Sequence, residues 1–435
     1  MEPRPVQVSF GEAFRFWLKL GFISFGGPTG QIAIMHQELV ERRRWISENR
    51  FLHALNFCMV LPGPEATQLA TYIGWLMHRT WGGIVAGTLF VLPSVFILIG
   101  LTWVYLNHGN VPLIAGIFYG IKPAVVAIVL AAAWRIGQRA LKHPALWGLA
   151  AAAFIAIFAF DAPFPAIVVA AGIIGFAGGR FYPGIFSSKN AHQRIETYGP
   201  ALIDDDTPTP AHALFSWAKF AAYVGAGLAL WTLVIGTLAA AGGWDGTLAQ
   251  MGLFFSKAAL LTFGGAYAVL PYVYQGAVEH YGWLTGPQMI DGLALGETTP
   301  GPLIMVVAFV GYVGAGTAGA LVAAFFTFLP SFIFIFAGAP FVETTHGNLK
   351  FSAPLTGITA AVVGVIVNLA LFFAWHVFWP DGRAGRFEWI SALIGAAAFV
   401  ALFRYKAGIM SVIGACAAAG LGVSALLGAP ATLLR

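Results

Sequence analysis

The sequence predicts an all-α integral membrane protein of two inverted-topology repeats, with broken or re-entrant helices among about 13 hydrophobic segments. Three observations carry this: a composition too apolar for water, an internal duplication, and an odd number of crossings before the second copy begins.

Charged residues make up 9% of the chain and hydrophobic ones 59%, and the mean hydropathy is +0.79 over 435 residues. A soluble globule is excluded. The 53 glycines and 14 tryptophans suit close helix packing and interfacial anchoring. The net charge of +5 comes from scarce charges sorted along the chain, which argues for no nucleic-acid partner. Cys58 and Cys416 stand alone in apolar runs, without the spacing of a disulfide framework or zinc site. Glu12, Arg15 and Lys19 interrupt the first apolar run, so no cleavable signal is expected.

Phe25-Gly26-Gly27-Pro28 returns as Phe263-Gly264-Gly265, Trp45 as Trp283, and Pro62-Gly63-Pro64 as Pro300-Gly301-Pro302, all at an offset of 238. Thirteen positions between residues 16 and 64 match without a gap. After one inserted residue near Glu65 the offset becomes 237, aligning Gly74 with Gly311, Leu92-Pro93-Ser94 with Leu329-Pro330-Ser331 and Gly120-Ile121 with Gly357-Ile358.

Apolar runs fall near 10–35, 51–78, 82–107, 111–134, 144–160 and 163–183, forming a first repeat over 1–183. A polar stretch over 184–215, with Lys189, Arg194, Glu196, Asp204-Asp205-Asp206, Pro208 and Pro210, reads as a solvated cytoplasmic linker. An unpaired helix over 216–241 follows. The second repeat, 242–435, has runs near 250–275, 287–314, 316–341, 352–379, 387–403 and 407–428. Seven crossings precede it, or five if the first two runs of the first repeat turn back. Both numbers are odd, so the second repeat enters from the opposite side.

Charge separates the spanning and re-entrant readings, because Lys and Arg collect on the cytoplasmic side. If every run spans, the flanking Lys and Arg divide 12 to 7; if the runs broken at Gly26-Gly27-Pro28 and Pro62-Gly63-Pro64 turn back, they divide 16 to 3. The second division is sharper, although kinked spanning helices remain the alternative. Either way the N-terminus is expected in the cytoplasm and the C-terminus in the periplasm. Arg383, Arg386 and Arg435 are the three outside.

A Gly-Gly-Pro or Pro-Gly-Pro in mid-membrane frees backbone groups that hydrocarbon cannot satisfy, so each break implies a protein-lined or watered interior. The helix starting after it aims its positive end at that interior, which suits an anion. Candidate anion-binding residues are therefore Gly26, Gly27, Pro28, Gly30, Pro62, Gly63 and Pro64, with Gly264, Gly265, Pro300, Gly301 and Pro302. Thr67, Gln68, Thr298 and Thr299 offer neutral donors, or cap the broken helix ends. Among costly intramembrane charges, Lys19 and Lys257 are repeat mates that either flank a central site or snorkel to an interface. Lys122 is the candidate cation for the anion. Glu65 and Glu297 flank the breaks as proton carriers or as ion-pair partners for the lysines. The histidines show no metal-ligand spacing, and no catalytic pair or phosphate-cradling loop that would mark a membrane-embedded enzyme stands out. No cofactor is expected.

Phe25-Gly26-Gly27-Pro28 with the basic segment to Trp45, the segment Leu61 to Leu69, Gly120-Ile121-Lys122-Pro123-Ala124, and Thr299-Pro300-Gly301-Pro302 together resemble the chromate ion transporter family, in its long two-domain form. The resemblance covers nearly the whole chain apart from the linker and the unpaired helix. It implies efflux of chromate from the bacterial cytoplasm across the inner membrane, chromate resistance, sulfate as a chemically similar ion, and oppositely oriented halves. An exchanger or proton-coupled carrier of sulfate or another oxyanion is the alternative, and a homodimer is an open assembly.

Overall fold

The computed structural model describes residues 7–25, 27–109, 111–186, 198–263, 265–345, 352–382 and 385–427. Gly26, Gly264, Lys189, Arg194, Glu196, Arg383 and Arg435 lie outside the described residues. Secondary structure among the described residues is helical, apart from one isolated bridge between Ile46 and Ile203.

Helix α1 (Phe10–Ile23) starts where the Ser9 hydroxyl accepts from the Glu12 N–H, and it buries Ala13, Phe16, Trp17, Leu20 and Gly21 on one face. Its 14 residues rise about 21 Å, short of the roughly 30 Å of a hydrocarbon core. After the break, α2 (Gly27–His36) runs into a π-helical turn (Gln37–Arg42). The chain has by then come back: the Arg43 guanidinium lies 5.0 Å from the Phe16 ring and 5.1 Å from that of Trp45, and reaches Glu12 at 3.6 Å.

The second broken run behaves the same way. Helix α3 (Glu48–Val60) leads to the Pro62-Gly63-Pro64 break, and α4 (Glu65–His108) follows. Arg50, at the start of α3, reaches Glu343 at 3.0 Å, and the Tyr72 hydroxyl in α4 donates to the same carboxylate at 2.5 Å. One carboxylate cannot meet both ends of a spanning rod, so the chain turns back between them. The run also reverses inside α4, where His78 and Arg79 leave helical geometry, Arg79 with φ +57°. Gly74 then packs against Gly82, so close that a Cβ on either would strike the other's carbonyl. Residues 80–108 form the outgoing arm. Helices α5 (Pro112–Ala140), α6 (Pro144–Phe160) and α7 (Phe164–Phe181), with a short turn α8 (Pro183–Phe186), complete the first half.

The polar stretch is not a free tether. Residues 198–213 form a strap: the Leu202 and Ile203 N–H groups donate to the Arg44 and Trp45 carbonyls, and Ser47 and Asn49 donate to Asp205, each at 2.5 Å. Arg50 donates to the Thr207 carbonyl at 2.6 Å, and Ala201, Ile203 and Ala213 are buried. Asp205 meets Ser47 and Asn49 of the loop 44–50 while staying exposed itself, so the strap is solvated on one side and packed on the other.

Helix α9 (Trp217–Gly242) runs from this linker end, where Lys219 donates to the Ala211 and His212 carbonyls, toward Gly252, against which Ile235 packs. The second half then repeats the devices of the first. Helix α10 (Thr247–Leu260) is followed by α11 (Ala266–Tyr274), a second π-helical turn (Gln275–His280), and α12 (Gly286–Thr298), capped by a Thr285–Gln288 box. A 3₁₀ turn (Leu303–Met305) and α13 (Val306–Thr345) follow, and α13 reverses at Ala315–Gly316, where Gly311 packs on Gly319. Helices α14 (Ser352–Phe378), α15 (Trp389–Phe403) and α16 (Ile409–Leu427) complete the second half.

Trp283 lies with Phe254, Phe255 and Gly314, at the far end of α9 from the strap and Trp45. Residues 317–345 return to the linker end, where Glu343 meets Arg50. Seven helices among the described residues are long and apolar enough to cross a membrane, and α6 and α15 are shorter apolar helices. The remaining broken runs are pairs of short helices rather than single spans.

Two tests follow from this arrangement. With Cys58 and Cys416 replaced, Asn49→Cys and Arg79→Cys should react with a membrane-impermeant thiol reagent from one face and His280→Cys from the other; reaction of 49 and 79 from opposite faces would refute the turns. Arg50→Met should lower the unfolding free energy in detergent by about 3 kcal/mol, because Glu343 is left buried without its cation, and adding Glu343→Gln should recover most of that loss.

Candidate functional site

The breaks meet, and each half satisfies the other's freed backbone. The Gly63 N–H donates to the Thr262 carbonyl at 2.8 Å, and the Gly301 N–H donates to the Ser24 carbonyl at 2.7 Å. Residues 24 and 262 are repeat mates, as are 63 and 301. The carbonyls belong to the ends of α1 and α10, which a helix terminus leaves without an intrahelical donor. Gly63 and Gly301 have φ of +122° and +107°, a region that favours glycine. A Cβ on Gly63 would sit 2.6 Å from the Ser331 hydroxyl, and one on Gly301 2.6 Å from the Ser94 Cβ. The repeated Leu-Pro-Ser segments therefore lie across from the opposite half's Pro-Gly-Pro. Sequence reasoning noted that repetition without seeing its role.

Side chains reinforce the junction. Gln31 donates to the Gly301 carbonyl at 2.5 Å, and Gln68 donates to the Pro62 carbonyl at 2.7 Å. Ser24 and Thr262 turn their hydroxyls back onto the Leu20 and Ala258 carbonyls. The helices that start here carry no side-chain cap: Pro64 precedes α4, Gly265 precedes α11 and Pro302 precedes the 3₁₀ turn. A helix start leaves its first N–H groups without an intrahelical acceptor, and these starts lie at the junction. Thr67 Oγ1, Gln68 Oε1 and Ser94 Oγ are buried there without a hydrogen-bond partner. Such orphans cost about 1–3 kcal/mol each, so their clustering fits a polar ligand or water.

Glu65 opens α4, 9% exposed, with its Oε2 3.9 Å from the point where a Cβ on Gly265 would lie; that point is 4.0 Å from Pro28. Gly27 starts α2 with φ +68°, and a Cβ on Gly30 would lie 2.7 Å from the Phe25 carbonyl, so Gly30 serves close packing inside the first turn. Glu297 is buried and accepts from the Tyr267 hydroxyl. Thr298 and Thr299 bond back to the Leu295 and Gly296 carbonyls, which makes them caps of α12 rather than free donors.

The lysines take the outward placement and a pairing with an acid. Lys19 and Lys257 are both exposed, on faces of α1 and α10 turned away from the packed side, so the structure does not bring them to the breaks. Lys122 pairs with Asp291 at 3.4 Å, and Tyr105 donates to the same carboxylate at 2.8 Å. Neither glutamate is its partner. Asp291 had no sequence signal, since its repeat mate is His53. Among the described residues the buried charged side chains are Glu65, Asp291, Glu297 and Glu343, all acids.

A separate cleft of about 980 Å³ opens at the linker end, lined by Val8, Phe10, His78, Arg79, Trp81 and His212 among others. Burial lowers the His212 imidazole from its ordinary value, and its ring lies edge-on to Trp75.

The chromate transporter family model matches residues 11–176 and 249–421, leaving out the strap and α9. A chromate transport protein of Pseudomonas aeruginosa is 32% identical over 431 residues, covering 96% of this chain and 94% of the relative. One of Cupriavidus metallidurans is 30% identical over 362 residues, with 82% and 81% covered. A probable chromate transport protein of Synechococcus elongatus is 28% identical over 398 residues, with 91% and 90% covered. No solved structure matches. With both broken-helix halves inside the matched regions, the chain belongs to the chromate transporter family.

Proposed function

We propose that this protein exports chromate from the bacterial cytoplasm across the inner membrane, through a site where the four breaks of two inverted halves meet. The observation that carries this is the junction itself: reciprocal Gly63–Thr262 and Gly301–Ser24 hydrogen bonds, uncapped helix starts at Pro64 and Gly265, and buried Thr67, Gln68 and Ser94 atoms without partners. The ligand shell comprises backbone around Gly27-Pro28, Pro62-Gly63-Pro64, Gly265 and Pro300-Gly301-Pro302, with the Thr67 and Ser94 hydroxyls as donors, while the Gln68 amide nitrogen stays on the Pro62 carbonyl. Lys122 stays with Asp291, so dipoles carry most of the anion's stabilisation.

Export needs no nucleotide. Moving a dianion out of a negative-inside cell releases about 4.6 kcal/mol per 100 mV, a concentration ratio on the order of 10³. The basic loop 36–50 and the strap face the cytoplasm in this orientation, which places the N-terminus there and the C-terminus in the periplasm. Conferring chromate resistance follows from the direction of transport. Sulfate, a dianion of the same tetrahedral shape, fits the same donors.

Everted vesicles carrying the protein should accumulate labelled chromate when their interior is positive, and unlabelled sulfate should compete; accumulation that ignores the potential would refute potential-driven export. Thr67→Val keeps the side chain's shape and removes the orphaned hydroxyl. It should leave thermal stability unchanged or raised while weakening chromate binding about tenfold, the value of one hydrogen bond to a charged group.

A further inference from the structure

The breaks offer helix N-termini to an anion, yet the ionisable group nearest them is an acid. Glu65 is the first residue of α4, is buried, and lies beside Gly265 of the opposite half, against which Pro28 also lies. An acid in a first helical turn commonly complements the dipole, and that alone would make Glu65 structural. Three features go further. No described residue donates a hydrogen bond to it, whereas Glu297 has Tyr267, Asp291 has Tyr105 and Lys122, and Glu343 has Tyr72 and Arg50. The nearby cations are engaged elsewhere or turned away: Lys122 is held by Asp291, Arg50 by Glu343, and Lys19 and Lys257 are exposed. Among the described residues the neighbouring elements offer no compensating charge either. The titratable group facing Glu65 from α3 is the Cys58 thiol; the α10–α11 break presents Gly265, against which Pro28 of the α1–α2 break lies.

An ionised carboxylate here takes up the field that an oxyanion would use, and the two anions repel across a few ångströms of poorly solvated interior. We propose that Glu65 is a tethered competitor for the oxyanion, so that the anion enters when Glu65 carries a proton and both are carried together. This rests on the oxyanion-site reading above and adds its coupling ion. The step is a simple protonation: one carboxylate oxygen takes a proton from a hydronium ion of the bulk solvent, which leaves as water, and no heavy-atom bond changes. The neutral acid then has an O–H to donate to the anion. A dianion moving outward with one proton transfers one net negative charge instead of two.

The test uses the full chain in proteoliposomes containing a pH-sensitive dye, with sulfate as probe because it stays a dianion through neutral pH. The parent should move protons with sulfate down a sulfate gradient, and its sulfate affinity should fall about tenfold per pH unit as Glu65 ionises, the slope for one linked proton. Glu65→Gln, checked for a monodisperse elution profile, should bind sulfate with a flat pH profile and move no protons. Sulfate transport by the parent without proton movement and without pH dependence overturns the coupling and leaves the oxyanion site standing. A variant that keeps the parent's pH profile also overturns it. If the parent binds neither sulfate nor chromate, the functional reading fails, and this inference with it.

Discussion

A peptide group freed inside hydrocarbon must find a partner in the protein, and the rest of this structure depends on how that demand is met. Breaking a helix at Gly63 or Gly301 exposes donors and acceptors worth several kcal/mol each if left bare. Neither half repairs its own break. Gly63 of the first half bonds to Thr262 of the second, and Gly301 of the second bonds to Ser24 of the first. The halves are therefore stitched at their weakest points. The glycines follow from this, since a side chain at 63 or 301 would collide with the opposite half's serine. So do the close glycine pairs Gly74–Gly82 and Gly311–Gly319, which let each returning arm lie flush against its outgoing arm.

The distribution of charge follows a second constraint. Buried cations would hold a dianion tightly, whereas a carrier must also release it. Here the buried charged groups among the described residues are acids, and the bases sit toward the ends or pair with those acids, as in Arg50–Glu343 and Lys122–Asp291. What remains at the junction is dipolar: helix starts, a threonine, an amide and a serine. Such a junction offers oriented partial charges rather than a full cation. Glu65 lies among them with no hydrogen-bond donor among the described residues.

The ends of the molecule are built differently from its middle. At the linker end, the strap joins the loop 44–50 through backbone bonds at Leu202 and Ile203 and through Asp205, and Glu343 collects Arg50 and Tyr72. At the Trp283 end, stacked aromatic rings do comparable work, with Tyr281 and Trp283 centroids 4.4 Å apart and Phe254 edge-on to Trp283 at 5.5 Å. Equivalent corners of the two halves are thus closed by different chemistry, and only the first has the linker to draw upon.

The sequence by itself determined the membrane class, the duplication, the places where helices break and the family, because each rests on local signals: apolar run length, a fixed offset, and Gly and Pro where a backbone bond must fail. The charge division at residues 42–50 also pointed to chains that turn back, and the Arg43 and Arg50 contacts show such turns. Partnerships were decided only by tertiary structure. Lys122 looked like a free cation until Asp291, 169 positions away, came to its side. Lys19 and Lys257 looked central because they repeat, but repetition preserves a position on a helix face and leaves open whether that face points inward. Asp205 and Asp206 are exposed as composition suggests, but composition does not register that loop 44–50 lies opposite and that Ala201, Ile203 and Ala213 are buried. Ser94 and Ser331 were visible as a repeated motif, yet their place beside the other half's glycine exists only once two breaks, more than 200 residues apart, exchange hydrogen bonds.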